Sequence, residues 1–149
     1  MTGRKCGDCG ACCVVLGVAG FKEPCVTCQH LKPRGTNRCG IYGSPEKPED
    51  CSTYQCGWLQ GLLGPNDRPD RLGLIFELSV QDECAVVTAR EVWTGAADGA
   101  VAARVLDGMS TKSAIIVVRF NSSNRKLLCR DYEIVKKLRP RLANLGIHV

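Results

Sequence analysis

The chain has 149 residues, 44% of them hydrophobic, with a formal charge of +5. That size and composition fit one folded domain and argue against a disordered chain. The weak, mixed charge does not call for nucleic acid as a partner, and no stretch reaches the roughly 18 uninterrupted apolar residues of a membrane span.

At the N-terminus, Arg4 and Lys5 precede the fairly apolar stretch Ala11 to Phe21. A secretory signal is the competing reading. Asp8, the glycines and four crowded cysteines speak against it, and no small-residue cleavage site follows. A cytoplasmic location is expected. Cysteines in a reducing compartment serve as metal ligands or redox groups more often than as disulfides.

Nine of the eleven cysteines lie between Cys6 and Cys56. Residues 1–60 are rich in glycine, proline and short polar segments, with no sustained helical or strand period. The large apolar residues there are few for a core. Metal–thiolate bonds can hold such a segment together, because site formation and folding are then one free-energy change.

Cys6 and Cys9 form a C-x-x-C knuckle, which brings two thiolates to one ion. Cys12 follows at the same spacing, as in the C-x2-C-x2-C run of cluster-binding ferredoxins. Cys13 breaks that pattern, since adjacent side chains point in different directions. Cys25 and Cys28 form a second C-x-x-C, and Cys39, Cys51 and Cys56 stand singly. Nine thiols allow two four-sulfur sites with one to spare, or one iron–sulfur cluster beside a structural zinc. Arg4, Lys5, Lys32, Arg34 and Arg38 could offset the thiolate charge. Cys84 and Cys129 sit in apolar strand context and read as small buried hydrophobes.

Residues 61–149 change character after the turn-rich stretch 61–70. Leu72 to Val80 and Cys84 to Trp93 read as a hairpin. Asp98 is expected to cap a helix through Val101, Ala102, Val105, Leu106 and Met109. Ser113 to Phe120 and Lys126 to Cys129 read as two further strands, with a turn between them. A last helix begins at Asp131, with Pro140 kinking or restarting it before Gly146. The expected fold is α+β: an irregular cysteine-rich metal-binding module packed with a small antiparallel sheet and two helices, in the order β-β-α-β-β-α. The two parts are expected to form one continuous domain.

Cys6-x-x-Cys9-x-x-Cys12-Cys13, then Cys28-x-x-Leu31, Cys39-Gly40-Ile41-Tyr42, Pro48-x-x-Cys51 and Tyr54-x-Cys56, resemble the YkgJ-like cysteine cluster family. Its CxxCxxCC domain is described as zinc- or iron-chelating. The resemblance covers Cys6 to Leu59, with a softer likeness at Arg68 to Phe76 and Glu91 to Ala96. It departs at Lys47, where the family often has arginine. The resemblance implies metal ligation by Cys6, Cys9, Cys12, Cys13, Cys28, Cys39, Cys51 and Cys56, and leaves Cys25 as the spare. The metal it implies is zinc or iron, an iron–sulfur cluster included. A flagellin lysine methylase carries a related motif.

His30 reads as a solvent-facing loop residue and His148 as tail. Tyr42, Tyr54 and Trp58 read as packing that keeps water from the sulfurs. Asp67, Asp70, Glu77 and Glu91 are expected in turns or on solvated faces, and Lys136, Lys137, Arg139 and Arg141 on a solvated helix face. No phosphate loop, dinucleotide fingerprint or Ser/His/Asp set is present, so no catalytic residue is assigned. The function expected is metal binding by clustered thiolates, with a protein as the further partner. An iron–sulfur redox or methyltransferase-type component and a zinc-dependent nucleic-acid binder are the alternatives.

Overall fold

The computed structural model describes residues 3–149. A four-stranded sheet carries the second part of the chain. Its strands are β1 (Leu74–Gln81), β2 (Cys84–Glu91), β3 (Ala114–Val118) and β4 (Arg125–Leu128), in that spatial order. The expected hairpin forms as β1–β2, with Asp82 and Glu83 at positive φ in its turn. The strand–turn–strand 113–129 likewise gives antiparallel β3–β4.

The sheet is mixed rather than antiparallel, because β2 pairs with β3 in parallel. The reason lies in residues 92–113. Helix α4 (Ala100–Met109) runs back over the sheet, so β3 starts from the same end as β2. Parallel neighbours require such a crossover of a dozen or more residues. Every residue of β3 is buried, because both faces are covered. Ile115 and Val117 share a cluster with Ala102 and Leu106 of α4. Ala114, Ile116 and Val118 meet Leu138 and Leu142 of α5 (Tyr132–Asn144). The period of two along a strand divides those side chains between the two helices.

Asp98 does not cap α4. The N-cap is Gly99, without a side-chain bond, and Asp98 ends a short 3₁₀ turn over Ala96–Asp98. Asp131 does cap α5, its carboxylate accepting from the Glu133 and Ile134 N–H groups. That helix continues through Pro140 as one element.

The first part of the chain contains α1 (Ala11–Val15) and α2 (Glu49–Thr53), neither expected from its pattern. Helix α3 (Pro69–Leu72) leads into β1. Its terminus is Gly73 at φ +85, where a Cβ would lie 2.8 Å from that of Ala96. The turns are joined to the sheet rather than folded on themselves. Gly57 N–H donates to the Phe76 carbonyl at 2.7 Å. Ala11, Val15, Cys56, Trp58 and Leu63 share one buried cluster with Leu74, Phe76, Val87 and Leu106. Phe76 is wholly buried, and a side chain of its kind contributes about 2–3 kcal/mol by leaving water.

Glu91, expected on a solvated face, is instead buried at 1% exposure. It ends β2, and its carboxylate accepts from Ala97 N–H at 2.8 Å, Phe120 N–H at 3.0 Å and Arg119 Nη1 at 3.0 Å. One charge thus fastens the start of the crossover to the end of β3. Removing it leaves the Ala97 and Phe120 N–H groups without a partner, while Arg119 keeps Asp98, so Glu91→Ala should cost about 2–5 kcal/mol in urea unfolding. A loss below about 1 kcal/mol, the size of a surface pair, would contradict this role.

Candidate metal centre

Local turns bring the cysteines toward one another. Gly7, at φ +56, turns the first knuckle, and Cys9 N–H donates to the Cys6 carbonyl at 2.9 Å. Helix α1 then carries Cys12 and Cys13. Cys28 N–H donates to the Cys13 carbonyl at 2.7 Å, which draws the second C-x-x-C against that helix. Leu31 and Cys39 form an isolated antiparallel bridge. Gly40 N–H donates to the His30 carbonyl at 2.7 Å, and a Cβ there would sit 2.7 Å from that oxygen. Only glycine fits this approach, so Gly40 sets the position of Cys39.

Cys6, Cys9, Cys12, Cys13, Cys28, Cys39 and Cys51 line one chamber of about 200 Å³. Cys56 is buried beside it, close enough for its charge to act on Cys6. Cys25 lies elsewhere. Its backbone is at φ +60 and its Sγ accepts the Asn121 N–H at 3.2 Å, across to the sheet. Cys84 and Cys129 belong to the cluster under α5. His30 stacks on Phe21, with ring centroids 5.9 Å apart.

The cations around the chamber are mostly not those expected from sequence proximity. Arg38 lines it, but Lys5, Lys32 and Arg34 do not, and Arg4 lies over the Trp58 ring. Lys22 and Lys47 line it instead, brought in by the turns at 18–22 and 44–48. Tyr54 and Tyr42 form part of the wall, and Lys47 sits 4.5 Å from the Tyr42 ring centroid. The first knuckle is held from outside by Arg68, whose guanidinium pairs with Asp8 at 2.7 Å and with Asp70. Both carboxylates are held below their usual range. For Asp8 the main cause is the hydrogen bond from Arg68. For Asp70, burial opposes the shift and Arg68 outweighs it.

The thiols act on one another. Burial pushes the Cys9 thiol up to about 11. Burial also raises Cys6, with further repulsion from Cys56 and Cys13, and raises Cys51, with repulsion from Cys13. Cys12 and Cys13 share a hydrogen bond that splits them. Cys13 is lowered, with Lys22, Arg38 and Lys47 assisting, while Cys12 is raised far above the thiol range. The pair sheds its first proton readily and its second with difficulty. Among the described residues, no three His, Cys, Asp or Glu side chains stand in a group that could hold a metal ion as placed.

The thiol pair makes a kinetic prediction. In chelator-treated protein at pH 7, iodoacetamide should label Cys13 before Cys12, read by peptide mass mapping. Cys13 should stay reactive as pH falls below the usual thiol value of about 8.5, and lose reactivity only when pH drops through its lowered value. Cys12→Ala should return the midpoint toward the usual value; an unmoved midpoint would count against the shared proton.

No family model matches the chain, and neither a curated protein nor a solved structure matches it.

Proposed function

We propose that this protein binds zinc or iron through Cys6, Cys9, Cys12, Cys13, Cys28, Cys39, Cys51 and Cys56, as the YkgJ-like resemblance implies. The observation that carries the reading is the chamber, which seven of those eight cysteines line. Cys25, Cys84 and Cys129, the three outside the set, do not line the chamber, and of the set itself Cys56 alone is absent from its lining. Chance burial of free cysteines would not sort them in this way.

The chemistry of the donor set fits a soft cation. Thiolates are the preferred ligands of zinc and of iron–sulfur clusters. Their mutual repulsion raises the cost of deprotonating the second and later sulfurs. A bound divalent ion offsets that cost, and binding releases protons. Ligation draws the sulfurs inward from the chamber walls, since no three stand close enough as placed. Metal loading is therefore coupled to closure of the turns that bear them. Cys6 and Cys51 are exposed, which gives an ion a way in. The sequence carries no recognisable catalytic set, so the reading is a metal-binding protein.

Anaerobic purification, with elemental analysis and an absorption spectrum on one sample, tests this. Stoichiometric colourless zinc, or iron with visible absorption that dithionite bleaches, supports it. Absence of both metals after supplementation with each overturns it. Cys12→Ser should lose metal and destabilise the first part of the chain. Cys84→Ser should keep the metal and change only stability; equal metal content in the two variants would contradict the ligand set.

A further inference from the structure

A second, larger cavity of about 790 Å³ opens beside the cysteine chamber. One wall is the segment Val15 to Pro24, turned back by the Val18–Lys22 bridge. The other wall is the sheet, represented by Glu77 of β1 and Arg90 of β2, with Tyr54 between them. Its volume falls within the range of small-molecule sites.

The polar end of this cleft is incompletely matched. Arg90 Nε is buried and has no hydrogen-bond partner, the single such side-chain atom among the described residues. Its neighbour Glu77 Oε1 stands 3.8 Å away, an ion pair too long for a hydrogen bond. That same oxygen accepts the Tyr54 hydroxyl at 3.4 Å. The Arg90 side chain as a whole lines the cleft and is 34% exposed, so a ligand there meets the outer nitrogens of the guanidinium, while the buried, unpaired Nε leaves room for a closer fit. Lys22 does not compete for a ligand there, because its Nζ is held by the Leu16 and Glu23 carbonyls.

We infer that this cleft binds a small monocarboxylate with an apolar chain: the carboxylate takes the Arg90 fork and the chain lies along Val15, Val18, Ala19, Phe21 and Pro24. A planar carboxylate fits the fixed geometry of a guanidinium. Lys22 and Arg90 balance Glu23 and Glu77 in the lining, so the cleft has no spare positive charge to hold a second negative charge on the ligand. The apolar segment supplies the burial that an inorganic anion would not use. Leu16, Gly17, Val18, Phe21, Lys22 and Tyr54 line both cavities. A molecule in the cleft thus lies one layer of side chains from the cysteines. The inference stands on the cleft alone and does not require that the chamber hold metal.

The test is a ¹⁵N NMR titration of the full chain as purified, with hexanoate, hexylammonium and 1-hexanol as probes. Hexanoate should shift the Arg90 Nε–H resonance and the Val18 and Phe21 amides, and saturate. Hexanol should bind roughly tenfold or more weakly, the size of a lost charge-assisted hydrogen bond. Arg90→Gln should reduce hexanoate to the level of hexanol, and Arg90→Lys should fall between. Equal binding of all three probes, preference for hexylammonium, or an undiminished hexanoate affinity in folded Arg90→Gln or Arg90→Lys would overturn the inference. Metal content measured on the same sample separates the two readings: hexanoate binding by a chain that stays metal-free after zinc and iron supplementation sinks the metal reading alone, and metal without hexanoate binding sinks this one.

Discussion

Everything in the first part of the chain depends on one apolar contact, the burial of α1 and the turn at Cys56–Trp58 against the opening half of β1. Ala11, Val15 and Trp58 are buried in one cluster with Leu74, Phe76 and Val87. The turns around them have too few large apolar residues to bury each other. The sheet supplies the missing surface, and Gly57 N–H on the Phe76 carbonyl fixes the approach. The consequence shows in β1 itself. Leu74, Ile75 and Phe76 are buried, whereas Leu78 and Val80 are exposed beyond the reach of the turns.

That contact places the sulfurs. Cys9, Cys12 and Cys25 pack against the same core, so α1 cannot turn without disturbing β1. Cys12 faces the chamber from the core side, and exposed Cys6 and Cys51 stand at its open side. Arg68 then locks the first knuckle through Asp8 and Asp70. The result is a thiol-lined chamber walled by α1 and the turns, with α1 itself packed on the core against β1.

The cleft with Arg90 follows from the same geometry. The segment Val15 to Pro24 leaves α1, bends at the Val18–Lys22 bridge and returns to place Cys25 against Asn121. Between those fixed ends it forms one wall of the cleft, and Arg90 of β2, its Nε buried, forms part of the other. The segment therefore divides two cavities of different character, one lined largely by sulfur and apolar groups, the other mixing apolar residues with Lys22, Glu23, Glu77 and Arg90.

Local pattern made much of this protein legible. The strand-forming runs Leu72 to Val80 and Cys84 to Trp93, the β-branched run of β3, the cap at Asp131 and the division of the cysteines into clustered and scattered sets are all short-range signals. They are readable because each depends on neighbours a few residues apart. The parallel pairing of β2 with β3 was not readable, since it depends on where α4 returns the chain. Nor was the burial of Glu91, whose three donors come from residues 97, 119 and 120. The cations of the chamber follow the same rule: Lys22 and Lys47 arrive through turns, while Lys5, Lys32 and Arg34, nearer to cysteines in sequence, do not line it. Spacing and side-chain chemistry, which are local, revealed the thiols, the four strands and helices α4 and α5, but not α1, α2 or α3. Only the tertiary structure decided which of them share a cavity, because that depends on contacts between segments tens of residues apart, which no local pattern encodes.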